Sequence, residues 1–479
     1  MKTVDRHRQI DPCSLGSAAF RESYGVRLAY SAGAMYKRIA SPRMVIAMSQ
    51  AGMLSFLGTG GVSMASVERD IEEIQRGVSA GEPYGANLLH QPERPEIEEQ
   101  TVDLFLKHGV RAVEAAAYIT LTPALIRYRL KGIRRAADGR IETPNRVLAK
   151  VSRPEVAELF MKPAPEAIVR TLLEAGRIDA EEAALAHLVP VSMDVCAEAD
   201  SAGHTDRAPA YALIPSILAL RDRLTRLQDY QDPIRIGAAG GIGTPAAAAA
   251  AFVMGVDFIT TGSINQCTVE AGTSDSVKLM LQEVDVQDTA MAPAGDMFEL
   301  GAKVQVLSKG VFFPARASRL HELYMRHESL DEIDAKTRTQ IEERYFGRSF
   351  DAVWAETEAY HRRNNPKVLE EAARRPKRKM ALIFKWYFIH TTRLALSGDE
   401  TQQVNYQVHC GPSLGAFNQW VRGTELQSWK NRRTADIGLR VMRGAAQLLT
   451  KRLDAWRSIG DDNRAESPYA DAVTSGVAV

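Results

Sequence analysis

Eight short apolar runs, each followed by a helical pattern, succeed one another between about residues 26 and 285. No other feature of the chain restricts its fold as much. The runs are Arg27–Ser31, Leu54–Gly58, Tyr84–Leu89, Ala112–Tyr118, Arg146–Val151, Pro190–Ala197, Ile234–Ala238 and Asp257–Thr261. Several, such as VSMDVCA and IRIGAA, are apolar on both alternating faces. That suits parallel strands covered on both sides. Between them lie SVERDIEEIQRGV, EIEEQTVDLFLKHG and TPAAAAAAFVMG. The first two close on glycine or a glycine-containing turn, a usual helix stop. The alanine run in the third reads as a good helix former packed near a wall.

Strand–helix alternation repeated eight times predicts an α/β fold with a parallel sheet. The count favours a (β/α)8 TIM barrel over a Rossmann-type doubly wound sheet. The nearest glycine stretches, GTGG at Gly58–Gly61 and GAAGGIG at Gly237–Gly243, lack the GxGxxG spacing. One interval is long. Arg153 to Leu188 holds more than the single helix a barrel needs, so a helical insertion after strand 5, about 153–188, is expected on the βα-loop side. From about 295 strand signals fade and charged helical patterns dominate. The expected division is an N-terminal extension over 1–25, a barrel over 26–295, a mainly helical C-terminal lobe over 296–460, and a disordered tail over 461–479.

Composition removes several classes. The 479 residues are 45% hydrophobic and 25% charged, which excludes wholesale disorder and collagen-like chains. Lys+Arg number 60 against 59 Asp+Glu, so a whole-surface electrostatic grip on nucleic acid is not expected. The start, MKTVDRHRQIDP, has no apolar secretory region. No stretch reaches ~18 uninterrupted apolar residues, so no membrane span is expected. Cys13, Cys196, Cys267 and Cys410 are widely spaced with no CxxC, which suggests neither a disulfide framework nor a metal site. A reducing, cytoplasmic setting fits.

Four constellations carry chemistry. IRIGAAGGIGTP places Gly240, Gly241 and Gly243 after strand seven, and FITTGSINQ places Gly262 and Ser263 after strand eight. Such turns let backbone N–H groups approach a phosphate, with a helix N-terminus adding partial positive charge. EADSAGHTD, at the end of strand six, sets His204 in a loop of small residues, with Asp200, Ser201 and Asp206 to orient it or contact a ligand. Histidine titrates near neutral pH and suits proton transfer. At other strand ends, SAGAM ends strand one, Asn87 lies in GANL, and Lys150 stands alone in the apolar LAKVS. A buried lysine needs a counter-group. That group is an anion, an electron-rich ring, or Glu114 of the neighbouring strand. RRPKRK, Arg374–Lys379, reads as a solvated basic linker or as a dock for an acidic partner. A planar polar ring with a phosphate tail would satisfy these residues, as would another phosphorylated ligand.

SAGAM, GANL, AKVS, EADSAGHTD, AAGGIGTP and TTGSINQ, in this order, resemble the flavin-dependent enoyl reductase and nitronate monooxygenase barrels. KMALIFKWYFIHTTRLALSGD and YQVHCGPSLGAFNQWVRGTEL look like the PfaD-type trans-acting enoyl reductases of polyketide and polyunsaturated fatty acid synthases. The resemblance covers about 25 to 455. It implies non-covalent FMN, NADPH as hydride donor, and 2-enoyl thioesters on acyl carrier protein. By position, Gly33, Ala34 and Met35 would lie along the isoalloxazine, and Asn87 and Lys150 at its polar edge. Asp200, Ser201, Ala202 and Gly203 would border the ring beside His204, the family's active-site histidine. Gly240, Gly241, Gly243, Gly262 and Ser263 would hold the phosphate. Ala202 stands where the family has a second glycine before the histidine. A nitronate monooxygenase, a non-catalytic flavin-binding subunit and a non-redox barrel are the competing classes. Apolar helical surface beyond the barrel leaves room for a homodimer.

Overall fold

All eight expected strands form: β1 (Tyr30–Ala32), β2 (Leu54–Leu57), β3 (Gly85–Leu89), β4 (Ala112–Ala116), β5 (Arg146–Val151), β6 (Asp194–Glu198), β7 (Arg235–Ala239) and β8 (Phe258–Thr261). The computed structural model describes residues 9–203, 206–228 and 230–463. Each strand pairs in parallel with its neighbours, and β1 meets β8 through Tyr30↔Ile259 and Ala32↔Thr261, which closes the barrel. The strands are buried almost throughout, as their two-sided apolar pattern requires. The first strand starts three residues later than expected, because Arg27 still belongs to a turn that donates to Gly52 O.

The N-terminal extension is not separate from the barrel. Its helix Ala18–Tyr24 buries Phe20, which stacks on Phe258 of β8 at 4.4 Å. The insertion after β5 exists, as helices Pro154–Met161, Glu166–Glu174 and Ala180–Leu185. Its expected position is wrong. Pro163 bridges to Pro190 just ahead of β6, and Glu182 binds Gly132 N at 2.7 Å. The added helices therefore leave from the N-terminal end of the barrel and lie on its flank, away from the βα loops. Pro154–Met161 fills the ordinary place of the fifth helix, and only the two later helices are extra.

The division at 295/296 is corrected in the same way. A hairpin of β9 (Thr289–Pro293) and β10 (Lys303–Leu307) opens a second core with Phe298, Phe313, Phe350, Phe384 and Tyr387. The chain then returns. Tyr406, Val408, Cys410, Leu414 and Phe417 belong to the barrel core. Helix Thr434–Asn463 packs against both Pro245–Val253 and Pro42–Gln50, the slot of the eighth barrel helix. Gly438 and Gly444 permit this approach, since a Cβ there would stand 2.8 Å from the Tyr30 ring and 2.6 Å from Pro245. The second unit is thus an insertion between β8 and the last barrel helix. That helix runs through Asn463, past the expected start of the tail at 461; residues from 464 lie outside the described residues.

The basic run Arg374–Lys379 is split: Arg374 and Arg375 are exposed, whereas the second half packs on the second unit. Lys377 pairs with Glu328 at 2.8 Å, Arg378 pairs with Glu299, and Lys379 lies 4.9 Å over the Trp354 ring. All four cysteines are free thiols. Among the described residues no helix is long and apolar enough to cross a membrane.

Candidate active site

The expected site residues converge at the C-terminal end of the barrel. Gly33, Ala34 and Met35 follow β1, Asn87 lies in β3, and Lys150 lies near the end of β5. Asp200, Ser201, Ala202 and Gly203 follow β6, Gly240, Gly241 and Gly243 follow β7, and Gly262 and Ser263 follow β8. His204 falls outside the described residues.

At the centre is a charged triad. Lys150 Nζ lies 3.2 Å from Glu114 Oε1 and 3.1 Å from Glu198 Oε1. The pairing with Glu114 is the counter-group anticipated from the lone lysine, and Glu198 adds a second. Burial works against the ammonium, but Glu198 and then Glu114 outweigh it and hold Lys150 above the ordinary lysine value. Burial pushes the Glu114 carboxyl up against the pull of Lys150. Glu114 Oε2 accepts from Ala34 N at 2.5 Å, whereas Oε1 has only the ionic contact. Asn87 Nδ2 donates to Glu114 O at 2.9 Å. Ser201 Oγ donates to Glu198 Oε1 at 3.0 Å and accepts from Gly203 N at 3.2 Å. The triad therefore ties β4, β5 and β6 to one another and to the turn after β1.

The glycine turns leave an open cradle. Gly240 and Gly241 have φ of +85° and +73°, a region that favours glycine. A Cβ on Gly240 would stand 2.8 Å from Ala199, while one on Gly241 or Gly262 would meet no heavy atom within 4 Å. Backbone N–H groups with open space beside them, at the two positions where barrels commonly hold phosphate, fit a phosphate-bearing group.

The hairpin of the second unit and the segment that returns from it close over this cradle. Gly411 N donates to Ser263 Oγ at 3.0 Å, so the Ser263 hydrogen is free for another acceptor. A Cβ on Gly243 would stand 2.2 Å from Ser413 O. Gln305 Nε2 lies 3.0 Å from both carboxylate oxygens of Asp200. Asp206 anchors the far side of the His204 loop, accepting from Ser152 Oγ at 2.7 Å and Arg153 Nε at 2.8 Å.

Sequence reasoning gave no role to His409. Its ring lies 5.0 Å from that of Tyr36, after β1, and its carbonyl accepts from Gln266 Nε2 at 2.8 Å, after β8. The Gln407 amide meets His409 Nε2 at 2.8 Å, and Thr391 Oγ1, which donates to Tyr387 O at 2.9 Å, lies 3.3 Å from the same amide. Burial lifts the Tyr36 phenol to about 12. No local motif announces this histidine, because the second unit carries it to the rim. Glu114 had a local signal, a lone carboxylate in the apolar run AVEAA. Among the described residues, the non-glycine residues with left-handed backbone are Lys37, Arg38, Ala117 and Arg207. All four follow β1, β4 or β6 at this same rim, where strain accompanies function.

Known proteins match this arrangement. Residues 327–406 match the family model of the inserted helical domain of acyl-carrier-protein S-malonyltransferases. Polyketide biosynthesis protein PksE of Bacillus subtilis is 52% identical over 442 residues, covering 92% of this chain and 57% of PksE. A polyunsaturated fatty acid synthase polypeptide of Thraustochytrium sp. is 42% identical, over 94% of this chain and 30% of its own length. The chain thus spans little more than half, or less, of these curated relatives. The solved enoyl reductase domain of MlnA, from the macrolactin cluster of Bacillus amyloliquefaciens, superposes with TM-score 0.90 at 45% identity, over 92% of this chain and 99% of that domain. A match of that identity, running the full length of a solved domain, means that the chain belongs to the PfaD-type enoyl reductase family of polyketide and polyunsaturated fatty acid synthases.

Proposed function

We propose that the chain reduces the 2,3-double bond of 2-enoyl thioesters carried on acyl carrier protein, using FMN and NADPH and acting in trans on a polyketide or polyunsaturated fatty acid synthase. The observation that carries this reading is the full-length match to an enoyl reductase domain, with the open glycine cradle of Gly241 and Gly262 at the barrel mouth. When bound, FMN supplies hydride transfer from NADPH to the β-carbon. The N–H groups around Gly240, Gly241, Gly243 and Gly262 and the Ser263 hydroxyl hold its phosphate. Gly33, Ala34, Met35, Ala202 and Gly203 border the ring, and Asn87 and Lys150 face its polar edge. Asp200 and Ser201 keep the loop after β6 in place. His204 stabilises the enolate oxygen and delivers the proton to the α-carbon. The second unit shapes the slot for the carrier arm and acyl chain. Four free thiols support a cytoplasmic setting. Exposed Leu453 and Trp456, three residues apart on the last helix, support a homodimer.

The first test is the visible spectrum of the purified protein under anaerobic conditions. A flavin band that bleaches with NADPH and returns with a crotonyl-type thioester is expected. A band restored by air but not by thioester favours the nitronate monooxygenase class. No flavin after incubation with FMN removes the reading.

His204→Ala should keep FMN and lose enoyl reduction by about 10²–10⁴-fold in kcat. His409→Ala is the comparison. If it shows that loss and His204→Ala does not, the proton comes from the second unit.

A further inference from the structure

The N-terminal end of the barrel, opposite the site above, holds a polar cavity of about 460 Å³. The starts of β5, β6 and β7 frame it, together with the short ribbon Arg134–Arg135 and Ile141–Glu142. Three of its arginines are matched by carboxylates. Arg134 pairs with Glu142 at 2.5 Å, Arg140 with Asp232 at 3.1 Å, and Arg235 with Asp194 at 2.6 Å. The other two, Arg129 and Arg146, have no carboxylate in ion-pair range among the described residues.

Arg129 is 2% exposed. Its Nε donates to Pro190 O at 3.1 Å and its Nη1 to Asn145 O at 2.9 Å, while Nη2 has no hydrogen-bond partner. Burial lowers its pKa to about 10, with Tyr24 and Asp194 partly opposing the shift. Arg146 donates to Ser23 Oγ at 3.4 Å and lies 5.9 Å over the Tyr24 ring. Neither contact neutralises a charge. Arg129 is buried with Asp194 acting on it only from beyond ion-pair range, Arg146 is half-buried, and both border a cavity of ligand size. Guanidinium forks match the oxygens of phosphate and carboxylate.

We propose that this cavity binds a small molecule through an oxyanion, of phosphate or carboxylate type, held between Arg146 and Arg129. The site is distinct from the catalytic mouth. Arg146 opens β5 and Lys150 lies four positions on, about 13 Å along the strand. An occupant would tie the ribbon to the strand starts.

The test is thermal melting of the FMN-loaded protein, so that phosphate does not compete at the glycine turns. Inorganic phosphate and acetate are titrated separately against NaCl at equal ionic strength. A saturable rise of the midpoint, about 2 °C or more beyond NaCl, is expected in at least one arm. The arm that responds identifies the oxyanion. Arg146→Gln should abolish the rise. Ala136→Glu, which hangs a carboxylate into the cavity from the ribbon, should abolish it without altering β5. No saturable rise in the unaltered protein, or a rise retained in either folded variant, overturns the proposal. Protein that takes up no FMN is titrated as it stands. The comparison with the two variants still reads this cavity, so failure of the flavin reading is seen separately.

Discussion

Lys150→Met should cost about 3–5 kcal/mol of stability, the usual penalty for removing one partner of a buried ionic cluster. The substitution nearly conserves volume, so little of the loss comes from packing. It leaves Glu114, 1% exposed at the side chain, facing Glu198 with no cation between them. One carboxyl must take up a proton or the strand ends must part. Adding Glu114→Gln to Lys150→Met should recover part of the loss, because one of the two charges goes. The pH dependence has a definite sign. Lys150 is raised above the free-lysine value, so its contribution is complete below about 10.4 and erodes as pH rises beyond it. Melts from neutral to alkaline pH should show that erosion in the unaltered protein and not in Lys150→Met. A cost below about 1 kcal/mol would mean that the triad is not an ion cluster.

Gly243→Val should weaken FMN binding by at least about tenfold, the effect of one lost charge-assisted hydrogen bond. The path is indirect. The new Cβ would stand 2.2 Å from Ser413 O, so the segment Cys410–Ser413 must move off the turn. Its displacement breaks the bond from Gly411 N to Ser263 Oγ. Fluorescence titration of FMN measures the loss, and a melt without FMN shows whether the fold survives. Unchanged FMN affinity in a folded variant would free the phosphate turns from any dependence on the second unit.

The barrel was legible because its strands are apolar on both faces, a pattern that surface-exposed sheets do not show. The charged centre was half legible. Lys150 and Glu114 each interrupt an apolar run, whereas Glu198 is hidden in the polar string EADSAG. The side of the barrel that carries the insertion and the division at 295/296 were misread for one reason. Helical periodicity marks a buried face but does not say which neighbour covers it. Helix Thr434–Asn463 and the helices of the second unit look alike in sequence, yet one closes the barrel and the others close a separate core. His409 was invisible for the same reason, since only tertiary placement puts it opposite Tyr36.

The late return of that last helix bears on synthesis. All eight strands leave the ribosome before the second unit, but the stave between Pro42–Gln50 and Pro245–Val253 arrives only after it. Until then the alanine face of Pro245–Val253 and the ring of Tyr30 lack their cover. Long-range closure of this kind slows folding and prolongs exposure of apolar surface. The inserted core, built from segments closer in sequence, can form in the interval. A nascent chain would then present a finished appendage on an unfinished barrel, and chaperone engagement would fall on the gap rather than on the insert.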